Sequence, residues 1–216
     1  MSRCEPNEVF FLPIPCMAPP VLAEKNAELK QANHSALLVM DVQNGIVQRF
    51  AEKPEVMIPF QRAVSAARRA EIPVIFVRVA FRDGYPELSA KNKMFSAVTK
   101  LGSMTISDTS TQIHSSVAPL PNEPFVTKLR VSAFAGSDLE VILRSRGIDK
   151  LILTGIATSG VVLSTLREAA DKDYRIVVLS NACLDQDPEV HRVLVEKVFP
   201  RQADVLTVRE WADTLP

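Results

Sequence analysis

Cysteine is scarce in this chain: Cys4, Cys16 and Cys183 are the three among 216 residues. They are widely spaced and odd in number, so they form neither a disulfide framework nor a CxxC metal motif. A reducing, cytoplasmic setting is expected. Histidine is equally sparse, and His34, His114 and His191 are too scattered to suggest a ligand cluster. Net charge is lacking too. Lys plus Arg and Asp plus Glu each number 25, which leaves no basic footprint for nucleic acid or an anionic membrane. No apolar run approaches the length of a transmembrane helix. The stretch FFLPIPCMAPPVL is a poor secretion signal, because Pro13, Pro15, Pro19 and Pro20 interrupt it and the one positive charge before it, Arg3, is followed by Glu5 and Glu8.

What remains is an ordinary globular composition, 47% hydrophobic and 23% charged, in a chain long enough for one α/β domain. Proline density predicts an extended arm over residues 1–30. Its Phe10, Phe11, Leu12 and Ile14 are costly to leave in water, so the arm is expected to lie across the domain or a neighbouring subunit. Residues 31–216 form the domain.

Short apolar runs alternate with amphipathic stretches along that domain. Strands are expected at Ser35 to Met40, Val74 to Val79, Phe125 to Lys128, Leu151 to Thr154, Arg175 to Leu179 and Ala203 to Thr207. Helices are expected at Glu55 to Glu71, with Val56, Phe60, Ala63, Val64 and Ala67 on one face, and from Ser137 or Asp138 to about Arg146, with Gly147 just past the end. Others follow Gly155, begin at Pro188 and run to Val198, and cover Val208 to Thr214. Thr158 or Ser159 is a candidate cap for the helix after Gly155. The region from Ala80 to Asn122 shows no clear strand and at most a short helix at Lys91 to Thr99. So long an irregular segment suggests a lid or pocket wall. The pattern predicts a three-layer α/β/α fold with a mainly parallel, Rossmann-like sheet of about six strands.

In such a sheet ligands bind beyond the carboxyl ends of the strands. Three features fall there: Asp41 after SALLVM, Lys128 after Phe125-Val126-Thr127, and Gly155 to Val161 after LILT. An acid, an ammonium and a turn rich in free N–H groups would then share one edge. A buried carboxylate needs a partner, and a nearby lysine supplies one. Taken singly, Asp41 reads better as a turn cap and Lys128 as a solvated strand end, and the GIATSG turn reads equally as a tight connection without chemistry.

Four segments together resemble the isochorismatase-like hydrolases, the superfamily that also holds nicotinamidases and N-carbamoylsarcosine amidases. They are LLVMDVQNG (Leu37 to Gly45), VTKLRVSAFAGSDLEVILRSRGID (Val126 to Asp149), LILTGIATSGVV (Leu151 to Val162) and RIVVLSNACLD (Arg175 to Asp185). The resemblance implies an Asp-Lys-Cys triad with Asp41 and Lys128 in the first two places. The nucleophile's place, however, falls on Val161, which has no lone pair with which to attack a carbonyl. Cys183 matches a position that packs in the core.

Gln43, two residues past Asp41, would point to the same side if the strand continued and is a candidate to hold the acid or the substrate. The resemblance further implies substrate contacts from Ile156, Ala157, Thr158, Gly160 and Phe134, with the N–H groups of Ala157 and Val161 as an oxyanion hole. It makes Ile156–Ala157 a candidate non-proline cis bond. The loop Phe81 to Phe95 lacks the histidines of a nicotinamidase metal site, so neither metal nor cofactor is expected, though Arg82, Asp83 and Tyr85 there are candidates to shape a pocket. A branch of the superfamily lacks the thiol and hydrolyses a vinyl ether, its Asp protonating the enol carbon. That implies a hydrolase of isochorismate or another small anionic metabolite, with Lys128 either holding a substrate carboxylate or orienting Asp41. Ser159 or Thr158 as an alternative nucleophile lacks an evident histidine base. A pseudo-enzyme that binds a metabolite or a partner is the competing reading. Members are commonly dimers or tetramers, so a homo-oligomer is implied.

Overall fold

Continuous apolar runs become the strands of a fully parallel sheet. The computed structural model describes residues 34–50 and 53–215, and the expected arm lies outside them. The strands are β1 (Ser35–Met40), β2 (Val74–Val79), β3 (Phe125–Lys128), β4 (Lys150–Ile156), β5 (Arg175–Leu184) and β6 (Asp204–Leu206), in the order β3-β2-β1-β4-β5-β6. Every residue of β1 and β2 is buried, as expected of strands covered on both faces. Alternate residues feed two cores. Leu37, Val39, Phe76 and Ile152 lie on one face and Leu38, Met40, Val77 and Leu153 on the other.

Among the described residues seven α-helices connect or flank the strands: α1 (Asn44–Phe50), α2 (Ile58–Arg69), α3 (Ser96–Leu101), α4 (Leu139–Ser145), α5 (Leu163–Asp171), α6 (Pro188–Val193) and α7 (Val208–Ala212). α2 and α7 cover the first face through Phe60, Ala63, Val64, Val208 and Trp211. α4 and α5 cover the second through Leu139, Leu143, Leu166 and Ala169. The three layers are those the sequence predicts.

Boundaries differ where local chemistry intervenes. The expected helix from Glu55 begins as a 3-10 turn, Pro54–Met57. Pro59 cannot donate to the preceding turn, so the α-helix starts only at Ile58. The short helix near Lys91 starts late, at Ser96, because the Asn92 side chain accepts from the N–H groups of Met94 and Phe95 and holds a turn there. α6 gives way at Leu194 to a π-turn, Leu194–Val198. β4 does not stop at Thr154 but runs to Ile156, and β5 extends beside it, with Gly155 opposite Cys183 and Ile156 opposite Leu184. α1 has no counterpart in the sequence reading.

The strand order reverses between β1 and β4, the switch point at which open α/β sheets bind ligands. Gly155 lets the two strands close up there: a Cβ on it would lie 2.6 Å from the Met40 carbonyl oxygen. Gly155→Ala therefore forces backbone apart in a packed core. It should cost about 1–3 kcal/mol and lower the thermal unfolding midpoint by several degrees. An unchanged midpoint in a melting experiment would contradict this packing.

Candidate active site

At the end of β1 the backbone of Asp41 turns left-handed, with φ +56°, while its N–H donates to Val77 O at 2.8 Å. Asp tolerates this region better than most residues. The turn ends the strand, so Gln43 is not placed by strand alternation. Asp41 is 5% exposed and Lys128, at the end of β3, 1%. Asp41 Oδ2 and Lys128 Nζ lie 3.0 Å apart. Nζ also donates to Arg130 O at 2.9 Å and Val131 O at 3.0 Å. An ammonium has three N–H groups; two go to these carbonyls and one is left for Asp41. Lys128 is therefore committed to orienting the acid. Burial pushes the Asp41 carboxyl above the ordinary carboxylate range, while the Lys128 charge and hydrogen bond pull it back. Asp41 Oδ1 is buried without a hydrogen-bond partner among the described residues.

Gln43 is fully engaged. Its Nε2 donates to Val79 O (3.0 Å) and Thr111 O (2.9 Å), and its Oε1 accepts from Val79 N (2.9 Å). The amide clamps the end of β2 to the loop before β3.

β4 leads through a cis Ile156–Ala157 bond into a π-turn, Thr158–Val162, and then α5. Ala157 caps the turn without a side-chain bond, and neither hydroxyl serves as the expected cap. Thr158 is wholly buried, and its Oγ1 shares a 2.8 Å hydrogen bond with His191 Nδ1. Ser159 N donates to Asp185 Oδ2 at 2.7 Å. Burial holds the His191 pKa below its ordinary value against the pull of Asp185. Thr158 thus has an imidazole partner that the sequence does not reveal, α6 having folded back onto the turn.

A cavity of about 590 Å³ opens at this edge, within the range of small-molecule sites. Asp41, Gln43, Lys128, Ile156, Ala157, Gly160 and Val161 line it. Thr158 does not, because its side chain turns toward His191. Phe134 does not either. Its ring packs 6.0 Å from that of Tyr174, with Lys172 Nζ 5.6 Å from its centroid, in the core beneath α4 and α5. Arg82, Asp83 and Tyr85 lie outside the lining; Arg82 pairs with Glu87, and the Tyr85 hydroxyl donates to Ser103 O. The segment between β2 and β3 does build a wall, through Met94, Phe95, Val98, Leu101 and Met104. α1 adds Ile46, Arg49 and Phe50, which sequence reasoning missed. Apolar Ile46, Val47 and Phe50 at helical spacing were the available signal.

Val161 is 2% exposed. Cys183 is buried and off the cavity, and burial raises its thiol pKa to about 12. It is a packed thiol rather than a nucleophile. Among the described residues no group of three or more His, Cys, Asp or Glu stands together as a metal site, and no helix is long and apolar enough to cross a membrane.

Comparison with known proteins agrees with this architecture. The model of the isochorismatase domain matches residues 35–210. YecD of Escherichia coli, an uncharacterized isochorismatase family protein, is 30% identical over 188 residues, covering 85% of this chain and 97% of YecD. The ureidoacrylate amidohydrolase RutB of Stutzerimonas stutzeri is 32% identical over 182 residues, covering 74% of this chain and 73% of RutB. The solved structure of an isochorismatase family protein from Burkholderia thailandensis superposes with a TM-score of 0.71 at 30% identity, over 83% of this chain and 96% of that one.

Removing the ammonium tests the pair. Lys128→Met leaves Asp41 buried without a cation and should destabilise the fold by about 3–5 kcal/mol at neutral pH. The loss should depend on pH. A carboxyl whose folded pKa lies above its unfolded one binds more protons when folded, so its contribution to stability falls as pH rises through that folded pKa. Deleting Lys128 raises the folded pKa further, so urea unfolding should show a larger deficit at pH 8 than at pH 5. A deficit independent of pH would show that Asp41 does not carry it.

Proposed function

The chain belongs to the isochorismatase family of hydrolases, and we propose that it hydrolyses a small metabolite without a cysteine nucleophile, with Asp41 as the acid in cleavage of a vinyl ether. The observation that carries this reading is the buried Asp41 carboxyl beside the cavity, one oxygen on Lys128 and the other without a partner. An unpaired buried oxygen is a poor seat for full charge and a good one for a proton. The raised pKa has the same direction. Kinship with RutB, a hydrolase of a small molecule, supports a small-molecule substrate here.

Asp41 gives its proton to the terminal carbon of an enol ether, and the resulting oxocarbenium carbon takes up water. The water's proton returns to the Asp41 carboxylate. The hemiketal then collapses, the C–O bond breaking as the hydroxyl proton passes to the leaving oxygen, to give an alcohol and a ketone. With a carboxyvinyl ether such as isochorismate the ketone is pyruvate. Lys128 fixes the carboxyl in place, and its charge assists the first transfer by favouring the carboxylate that proton donation leaves behind.

A binding module that has lost its chemistry is the second reading, and Val161 motivates it. An open cavity beside a formed Asp41–Lys128 pair favours catalysis. The homo-oligomer belongs to the proposal as well, and light scattering on the eluting protein reads it directly.

Purified protein should release pyruvate from isochorismate, and Asp41→Asn should lower the rate by about 10²–10⁴-fold. Because the acid form is the active one, kcat/KM should fall as pH rises through the elevated Asp41 pKa. Release that survives in Asp41→Asn would remove Asp41 as the acid. A folded protein that releases nothing would remove isochorismate as substrate.

A further inference from the structure

The cavity's charged and amide side chains narrow the class of substrate by elimination. Two that would ordinarily receive a carboxylate are spent within the protein: Lys128 on Asp41 and two carbonyls, and the Gln43 amide on Val79 and Thr111. The Thr111 hydroxyl donates to Thr105 O at 2.9 Å and is spent as well. Among the described lining residues one cation remains, Arg49 of α1. Its Nε donates to Gly45 O at 3.0 Å, which folds the side chain back along the helix toward the turn that begins at Gln43. Its Nη groups donate to no described residue. A guanidinium edge of that kind takes a carboxylate through paired hydrogen bonds. The wall facing the site is apolar, built by Phe50, Phe95, Val98, Leu101 and Met104.

We infer that the cavity selects a monocarboxylate with an apolar body: the carboxylate sits on Arg49, and an apolar ring or chain lies against Phe95, Val98, Leu101 and Met104. Placing the reacting carbon at Asp41 rests on the function proposed above; recognition of the carboxylate does not. A neutral analogue forfeits the Arg49 pair. A dianion brings a second carboxylate into apolar surroundings with no cation to meet it, which is costly. A carboxyvinyl ether of an apolar alcohol carries one carboxylate and fits better than isochorismate, which carries two.

Calorimetric titration of the full chain with three probes tests this without turnover: 3-phenylpropanoate, its neutral amide 3-phenylpropanamide, and the dianion phenylsuccinate. Wild-type protein should bind 3-phenylpropanoate about tenfold or more tightly than either of the others, the scale of one charge-assisted pair. Arg49→Met should reduce its affinity to that of the amide while amide binding stays as in wild type. Arg49 is exposed on a surface helix, so the variant should fold, and circular dichroism checks that it does. Equal binding of the three probes, no binding of 3-phenylpropanoate, or a preference that survives Arg49→Met would each overturn the inference. Since no reaction is read, a protein that releases no pyruvate would lose the Asp41 chemistry and keep this result, and the reverse also holds.

Discussion

The buried ion pair between Asp41 and Lys128 is what the rest of the site depends on. Neither charge would survive alone at that depth, and a buried pair repays its desolvation only when its remaining donors are met. The sheet meets that condition. Met40 stands opposite Val77 on β2, and Val79 opposite Lys128 on β3, so the acid and the ammonium come from strands on either side of β2 and meet over its end. The loop after β3 supplies two carbonyls to the same nitrogen. Such pairs are weak evidence of stabilisation and better evidence of function. Here the proton on Asp41 is contested between burial, which favours it, and Lys128, which opposes it.

From that contest follows a division of labour around the cavity. Groups that look like ligands by type are mostly structural by geometry: Gln43 clamps two backbone segments, Thr111 closes its own loop, and Thr158 is turned to His191. The polar groups left for a substrate are few, and a cavity walled by apolar side chains makes each of them count for more, because little water competes. Recognition then falls on charge at one point and shape elsewhere.

Much of this was legible in the residues because of physics that repeats. Strands buried on both faces read as apolar runs, and β1 and β2 begin and end where those runs do; the short edge strand β3 also keeps its expected bounds. Ligand sites at strand carboxyl ends follow from parallel topology, so Asp41, Lys128 and the turn at Gly155 could be placed on one edge without coordinates. What could not be read depends on contacts distant in sequence or on single side chains diverting a turn. The extension of β5 to Leu184 exists because β4 continues through Gly155. Asn92 delays α3 through its own side chain. Phe134 sits in a segment that carries the family resemblance, yet its ring packs in the core against Tyr174. Arg49 lies in a helix too short to announce itself, and its meaning emerges only once the other polar groups are found to be occupied.

The valine at position 161 gives these observations their consequence. It lies late in the π-turn Thr158–Val162 and lines the same cavity as the acid, where resemblance to the amidases would put a thiol. The other thiol of the described domain cannot move into that role, since Cys183 is packed against Gly155 in the sheet and burial disfavours its thiolate. Thr158 has a histidine for a base, yet its hydroxyl is sealed from the cavity. Without covalent attack from these side chains, the proposed reaction at this edge begins with a proton, and Asp41 is the lining carboxyl placed to hold one. A vinyl ether is a substrate whose cleavage begins that way, whereas an amide ordinarily needs a nucleophile first. The same substitution that removes one chemistry therefore points, through the state of Asp41, to the other.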